Sequence, residues 1–234
     1  MKKNASDTTP QEGQLRFAVL ATDVALFTVR NGELLVRLVR VDRPPYFIDR
    51  AGLPGGLIDP KETADGSAKR HLSAKASIAP QKLHVEQLYT FSDVDRDPRG
   101  RVVAVAYLAL VPWEALSAVE QSDSSDAWWS TLSKAQKLAY DHDDILKTAL
   151  VRLRSRVTYT TLISKLMPKE FTLTELEHTN EAILKTDLDK RNFRKKILKL
   201  KILAPLNRKR ASGAFRPAEL YRFSSEKISD IEVL

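Results

Sequence analysis

Between Gly52 and Ile78 the chain reads GLPGGLIDPKETADGSAKRHLSAKASI. Gly52, Gly55 and Gly56 supply the permissive backbone that a tight loop close to a ligand needs. Glu62 follows Gly56 after five residues, and Arg70 follows Glu62 after seven. The pattern reads as a short strand, a Gly-rich turn and a helix. Carboxylates at i, i+3 and i+4 of such a helix would share one face and could offer oxygen ligands to a hard cation such as magnesium. The positions after Arg70 instead carry His71, Ala74 and Lys75, an imidazole, a methyl group and a positive charge.

The spacing G-x5-E-x7-R resembles the frame of the Nudix box, found in hydrolases that cleave nucleoside diphosphates linked to another group. That box continues R-E-U-x-E-E-x-G-U, where U is a bulky aliphatic residue. Here Leu72 and Ile78 keep the aliphatic positions, three glutamates are missing, and the glycine is Ser77. Glu62 and Arg70 alone cannot clamp a metal against a pyrophosphate. The reading is a retained binding pocket with no catalytic residue, no metal site and no cofactor.

The elements that must position this stretch fit one large or two small domains in 234 residues, of which 43% are apolar. No cysteine is present, so disulfides and thiolate metal sites are excluded. No apolar run is long enough to span a membrane. MKKNASDTTPQEGQ lacks the apolar core of a signal peptide, and the expected compartment is the cytoplasm. The net charge of +8 is uneven: residues 1–150 hold 19 Lys+Arg against 20 Asp+Glu, residues 151–234 hold 19 against 10. A near-neutral part followed by a basic part suggests two domains, the second facing a polyanion, with nucleic acid first among candidates.

Residues 1–14 read as a loose tail. FAVLATDVALFTV (17–29) reads as a strand, Asn31-Gly32 as a hairpin turn, and Glu33 to Val41 as the returning strand. LPGGLI is a short strand with its turn, and Thr63 to Ala76 the helix. Val85 to Phe91 and Arg101 to Val111 are further strands, the second buried on both faces. Trp128-Trp129, in a polar setting, reads as a packed turn region. A helix starts at Asp141, a candidate N-cap, with Ile145, Leu146, Ala149, Leu150 and Leu153 as its apolar stripe. His142 stands there in a structural role rather than as a base. Mixed strands with helices on both faces predict an α/β/α sandwich over residues 15–155.

Residues 156–234 read as a winged helix-turn-helix. Tyr159 to Leu166 continues as helix until Pro168. Thr172 and Glu175 form a capping box. In LDKRNFRKKILKLKIL, Phe193, Ile197 and Leu200 mark the buried side, and Lys190, Arg191, Asn192, Arg194 and Lys195 cluster where a reading helix meets a major groove. Arginine can pair bidentately with guanine and Asn192 with adenine, while lysine more often meets phosphate. Two strands, Ile202–Leu206 and Leu220–Phe223, flank a basic loop that offers Arg208, Lys209, Arg210 and Arg216 to the DNA backbone or minor groove.

In the first domain the ligand candidates are Gly55, Gly56, Glu62 and Arg70, with Arg37 and Arg50 around them. Tyr46, Phe47 and Phe17 could stack on a base. Asp93 to Arg101 is a dense charged loop. Its Arg96, Arg99 and Arg101 could grip a pyrophosphate, or its aspartates could neutralise them in a structural turn; the residues leave both open.

With LPGGLI, DRDPRGRVVAVAYLAL, LAYDHDDIL, FTLTELE, LDKRNFRKKIL and RPAELYRF, nearly the whole chain resembles the Nudix-related transcriptional regulators of NAD metabolism, the NrtR type. The resemblance implies a homodimeric repressor bound to palindromic operators of NAD-synthesis genes, with ADP-ribose sensed in the Nudix-like pocket and releasing it. The alternative is an active Nudix hydrolase using carboxylates outside the box. His71, Ala74 and Lys75 speak against it.

Overall fold

The computed structural model describes residues 17–211 and 217–231. The tail expected over residues 1–14, and Arg216, lie outside them. The chain enters as β1 (Val19–Arg30) and returns as β2 (Glu33–Arg43). Asn31 and Gly32 both have positive φ, 50° and 76°, which the twist of a two-residue hairpin turn requires and which these residue types tolerate. β3 (Phe47–Gly52) pairs with β2, and the short β4 (Gly55–Leu57) pairs with β1. Then follow α1 (Ala64–Ala76), β5 (His84–Phe91), β6 (Val102–Leu110), the single turn α2 (Ala118–Gln121), β7 (Ala127–Thr131) and α3 (His142–Tyr159).

The sheet runs β3-β2-β1-β6-β5, with β4 beside β1 and β7 beside β2. β1 and β6 are parallel and the other pairs antiparallel. Both faces are covered, which is why the middle of β1 is buried at eight consecutive residues rather than at every second one. On one face α1 packs Ala68, Leu72 and Ala76 with Val24, Leu26 and Trp129. On the other α3 packs Ile145, Leu146, Ala149 and Leu153 with Phe27, Val36, Leu38 and Leu108. The expected sandwich is therefore present. The expected turn at Trp128-Trp129 is instead strand β7: it pairs with β2 from Leu35↔Thr131 to Val39↔Ala127, and Trp129 Nε1 donates to the Glu120 carbonyl. Long-range pairing overrides the polar flanks that suggested a turn.

α3 ends at Tyr159, earlier than the sequence reading, and a 3-10 segment Thr161–Lys165 follows. The Thr160 side chain accepts from the Leu162 amide and its backbone is extended, so the α-helix cannot continue through it. Then come β8 (Phe171–Thr172), α4 (Leu173–Leu184), α5 (Lys190–Lys199), β9 (Leu203–Arg210) and β10 (Ala218–Phe223), with strand order β8-β10-β9. The Thr172/Glu175 capping box is formed in both directions. One apolar core continues from the face of α3 through Val157, Leu162 and Phe171 to Leu176, Ile183, Phe193 and Ile197. Arg154 Nε donates to the Ile183 carbonyl at the end of α4. Among the described residues no helix is long and apolar enough to cross a membrane.

Candidate functional site

β4 brings Gly55 opposite Asp23 and Gly56 opposite Thr22. A Cβ on Gly55 would stand 2.2 Å from Asp23 Oδ1 and 2.4 Å from the Thr22 carbonyl, so only glycine permits this approach. Beside the turn opens a cleft of about 450 Å³, within the range of small-molecule sites. Its walls are β1 (Ala21, Asp23), β2 (Val39 to Arg43), α1 (His71, Ala74, Lys75), the loop bearing Arg96, Asp97 and Arg99, and the start of α3 with Tyr140 and His142.

Asp23 is the buried centre of one wall. Arg96 Nη2 reaches its Oδ2 at 3.1 Å, and His142 Nε2 lies 3.3 Å from its Oδ1. Burial alone would raise this carboxyl, but His142 and Arg96 beside it outweigh burial and hold it below its ordinary value. The Leu53 amide donates to His142 Nδ1, which leaves Nε2 to carry the proton toward Asp23. His142 thus has the structural part expected of it. Asp141 occupies the N-cap position of α3 but makes no side-chain cap. Its carboxylate instead takes Arg96 Nε at 2.8 Å and Nη2 at 2.6 Å.

The charged loop resolves mostly into internal pairing. Arg96 is enclosed by Asp23 and Asp141, Arg99 is held by Asp97, and Arg101 donates to the Ser92 and Asp93 carbonyls. Arg96 and Arg99 line the cleft; Arg101 does not. Arg99 also lies over the Tyr140 ring, 5.6 Å from its centroid, and stays exposed.

Other expected ligand residues stand elsewhere. Arg37 is a correction: it is 1% exposed and outside the cleft, buried under α1, where Nε donates to the Ala76 carbonyl at the end of that helix and Nη1 to the Ser122 carbonyl. A long cation in an apolar strand pattern gave no sign of which face it would take. Tyr46 and Arg50 are exposed and outside the cleft, as is Phe17; Phe47 packs on Tyr140 at 4.4 Å. Glu62 and Arg70 are also outside it, locked to each other, with Arg70 Nε donating to Glu62 Oε2 at 2.9 Å. Arg70, with help from the Asp59 amide, holds the Glu62 carboxyl at about 2. Gly55, Gly56, Arg96 and Arg99 are the expected residues that the fold does gather.

Nothing local in the sequence marks Arg43 or Tyr140 as part of a site, and Lys75 stands in the sequence only where a box carboxylate is missing. Asp23 carried a signal: it is the one charge inside the apolar run FAVLATDVALFTV. Lys75 Nζ donates to the Gly55 carbonyl at 2.5 Å. His71 is buried, its Nε2 3.2 Å from the Leu57 carbonyl, and burial lowers its pKa. These residues do not fit a divalent metal. The carboxylate positions hold an imidazole, a methyl group and an ammonium, and Glu62 is consumed by Arg70. Among the described residues no three His, Cys, Asp or Glu side chains cluster in a metal-binding way.

In the second half α5 exposes Lys190, Arg191, Asn192, Arg194 and Lys195 around buried Phe193 and Ile197. Asp189 caps the helix by accepting from the Asn192 amide at 2.7 Å. Arg194 is tethered to α4, donating to Thr174 Oγ1 at 2.9 Å and lying 3.9 Å from Glu177. Arg208, Lys209 and Arg210 stand on β9 itself rather than in a loop, because β9 pairs with β10 as far as Arg210↔Ala218. Arg208 pairs with Glu170 and Arg210 with Glu175, all of them partly or largely exposed.

Comparison with known proteins agrees with this two-part layout. Residues 19–149 match the NUDIX domain family and residues 163–223 match the NrtR DNA-binding winged helix domain. Over 209 residues the chain is 34% identical to the ADPR responsive transcriptional repressor NtrR of Acinetobacter baylyi, covering 88% of this chain and 82% of that protein. The crystal structure of Shewanella oneidensis NrtR complexed with a 27mer DNA matches with a TM-score of 0.76 at 32% identity, over 88% of this chain and 93% of that one. The NUDIX domain of the same protein complexed with ADP ribose matches with a TM-score of 0.52 at 30% identity, over 65% and 99%. A Nudix domain with a lysine-bearing box helix, followed by a basic winged helix, places this chain in the NrtR family of transcriptional regulators.

Proposed function

We propose that the chain is a dimeric repressor of NAD-biosynthesis genes that binds palindromic operator DNA, and that ADP-ribose in the Nudix cleft releases it. Residues 15–155 form the effector domain and residues 156–234 the DNA-binding domain, and the protein works in the cytoplasm. The repressor from Acinetobacter baylyi is named for its response to ADP-ribose, and the Shewanella oneidensis protein is seen with DNA and with ADP ribose. One observation carries the reading: a cleft whose box helix points an ammonium, not carboxylates, at the Gly55 turn shares a continuous core with a basic reading helix. Such a cleft binds and does not hydrolyse, and needs no metal or other cofactor.

A ligand can act only through different affinities for two states of the protein. α3 starts at the cleft and ends at the second domain, where Arg154 ties it to α4. Two reading helices of a dimer must sit about 34 Å apart to enter successive major grooves. A small rotation of α3 against the sheet would spoil that spacing. The test is titration of upstream operator DNA, followed by fluorescence anisotropy at fixed salt, with and without millimolar ADP-ribose. ADP-ribose should weaken operator binding by about 5–150-fold, and operator should weaken ADP-ribose binding by the same factor. Identical curves with ligand bound would overturn the reading.

A further inference from the structure

We propose that Lys75 stands in for a divalent cation: its ammonium, with Arg43 and Arg99, holds the diphosphate of a nucleoside-diphosphate ligand against the Gly55–Gly56 turn. This rests on the effector reading above and names the groups that take the ligand's charge. An ammonium has three donors, and Lys75 gives one to the Gly55 carbonyl at 2.5 Å. Two remain. Among the described residues no carboxylate lies within ion-pair distance of Lys75 or of Arg43, whose Nη1 donates only to the Asp42 carbonyl at 3.2 Å. The nearby carboxylate, Asp23, is already engaged by Arg96 and His142. Asp97 faces Arg99 from one side only, and Arg99 remains exposed toward the cleft it lines.

Gly56 keeps the ammonium open. A Cβ there would come within 3.2 Å of Lys75 Nζ and 2.7 Å of His71 Cε1. Burial lowers the Lys75 pKa, and Arg43, Arg70 and Arg99 lower it further, against Asp23. Cations crowded in this way repel one another until an anion joins them. A diphosphate bridging lysine and arginine gains charge-assisted hydrogen bonds, bidentate where a guanidinium takes part. A magnesium ion would compete with Lys75 for the same carbonyl and is repelled by its charge.

The experiment is calorimetric titration of the full chain in EDTA, with ADP-ribose and separately with inorganic pyrophosphate. Wild type binds both, and added Mg²⁺ does not tighten either. Lys75→Met keeps the aliphatic stem and weakens both about tenfold or more; Lys75→Arg restores most of the loss. Arg43→Gln, at an exposed position, weakens both severalfold and serves as the second variant should Lys75→Met melt early. Pyrophosphate bound through Lys75 without ADP-ribose binding upholds the site and removes ADP-ribose as effector. ADP-ribose bound alike by wild type, Lys75→Met and Arg43→Gln overturns the site and leaves the effector reading intact. A wild type that requires Mg²⁺, or takes neither ligand in EDTA, also overturns the proposal.

Discussion

Replacing Arg96 with alanine separates two roles for one guanidinium, gripping a ligand or holding the fold. Its side chain is 3% exposed and serves Asp23 and Asp141, whose side chains are 7% and 14% exposed. The substitution removes the shared guanidinium from both carboxylates at once and leaves Asp23 only His142. Breaking a buried pair from one side costs about 3–5 kcal/mol, because an uncompensated charge stays buried. For a chain of this size that lowers Tm by roughly 6–20 °C. The pH dependence has a definite sign. In wild type the lowered Asp23 pKa contributes stability that is present above its ordinary 3.8 and is lost as pH falls through the folded value. Without Arg96 the burial effect gains weight and the folded pKa moves up. The penalty is then largest at neutral pH and fades as acid protonates the carboxyl. Urea denaturation followed by tryptophan fluorescence at several pH values should show the gap between wild type and variant widest at neutral pH and narrowing as the pH falls toward and below the ordinary Asp value of 3.8. A variant within about 0.5 kcal/mol of wild type at neutral pH, yet unable to bind ADP-ribose, would refute the structural role and return Arg96 to the ligand.

Incubation with ADP-ribose and Mg²⁺ should yield no AMP by chromatography; turnover near a typical enzyme value of about 10 per second would contradict the cleft chemistry described above. Arg191→Ala or Arg194→Ala should weaken specific operator binding by about 1–3 kcal/mol, while Lys209→Ala should weaken specific and random DNA alike and lower the salt slope by roughly one; unchanged operator affinity in the helix variants would remove α5 as the reading helix. Glu86, held at about 2 by His84 and Arg156 despite burial, ties β5 to α3. Glu86→Gln should cost roughly 1–3 kcal/mol at neutral pH, with the difference vanishing as pH falls from about 4.5 to about 2; a cost that persists in acid would sink the ion-pair explanation. Ser77 ends α1 in the left-handed conformation, φ 56° and ψ 37°. Ser77→Gly should therefore raise stability by about 0.5–1 kcal/mol, the relieved backbone strain exceeding the added chain entropy, and a lower Tm would show that the serine side chain contributes more than its backbone costs.

Periodicity and punctuation in the sequence determined most of the elements. The Asn31-Gly32 turn, the helix after Thr63, the Thr172/Glu175 capping box and the Phe193/Ile197 stripe are local features, each formed by residues within a few positions of one another. The change in charge along the chain likewise separated a near-neutral part from a basic one. Spacing placed His71, Ala74 and Lys75 on the box helix, at the positions where the resemblance to the Nudix box leads one to look for glutamates. Contacts distant in sequence decided the rest. Nothing near Trp128 announces that β2 will recruit it into the sheet, or that Arg37 will turn to the Ala76 carbonyl rather than to the cleft. The arginines of the Asp93–Arg101 loop could be assigned only once Asp23 and Asp141 came within reach of Arg96. Lys75 gained its meaning in the same way, when β4 set the Gly55 carbonyl before its ammonium. Short-range order follows from backbone propensity and side-chain period, which each residue carries with it. The sign and freedom of a charge in a cleft depend on what the fold brings to face it, and for Lys75 that is a carbonyl, other cations and a carboxylate, Asp23, already engaged by Arg96 and His142.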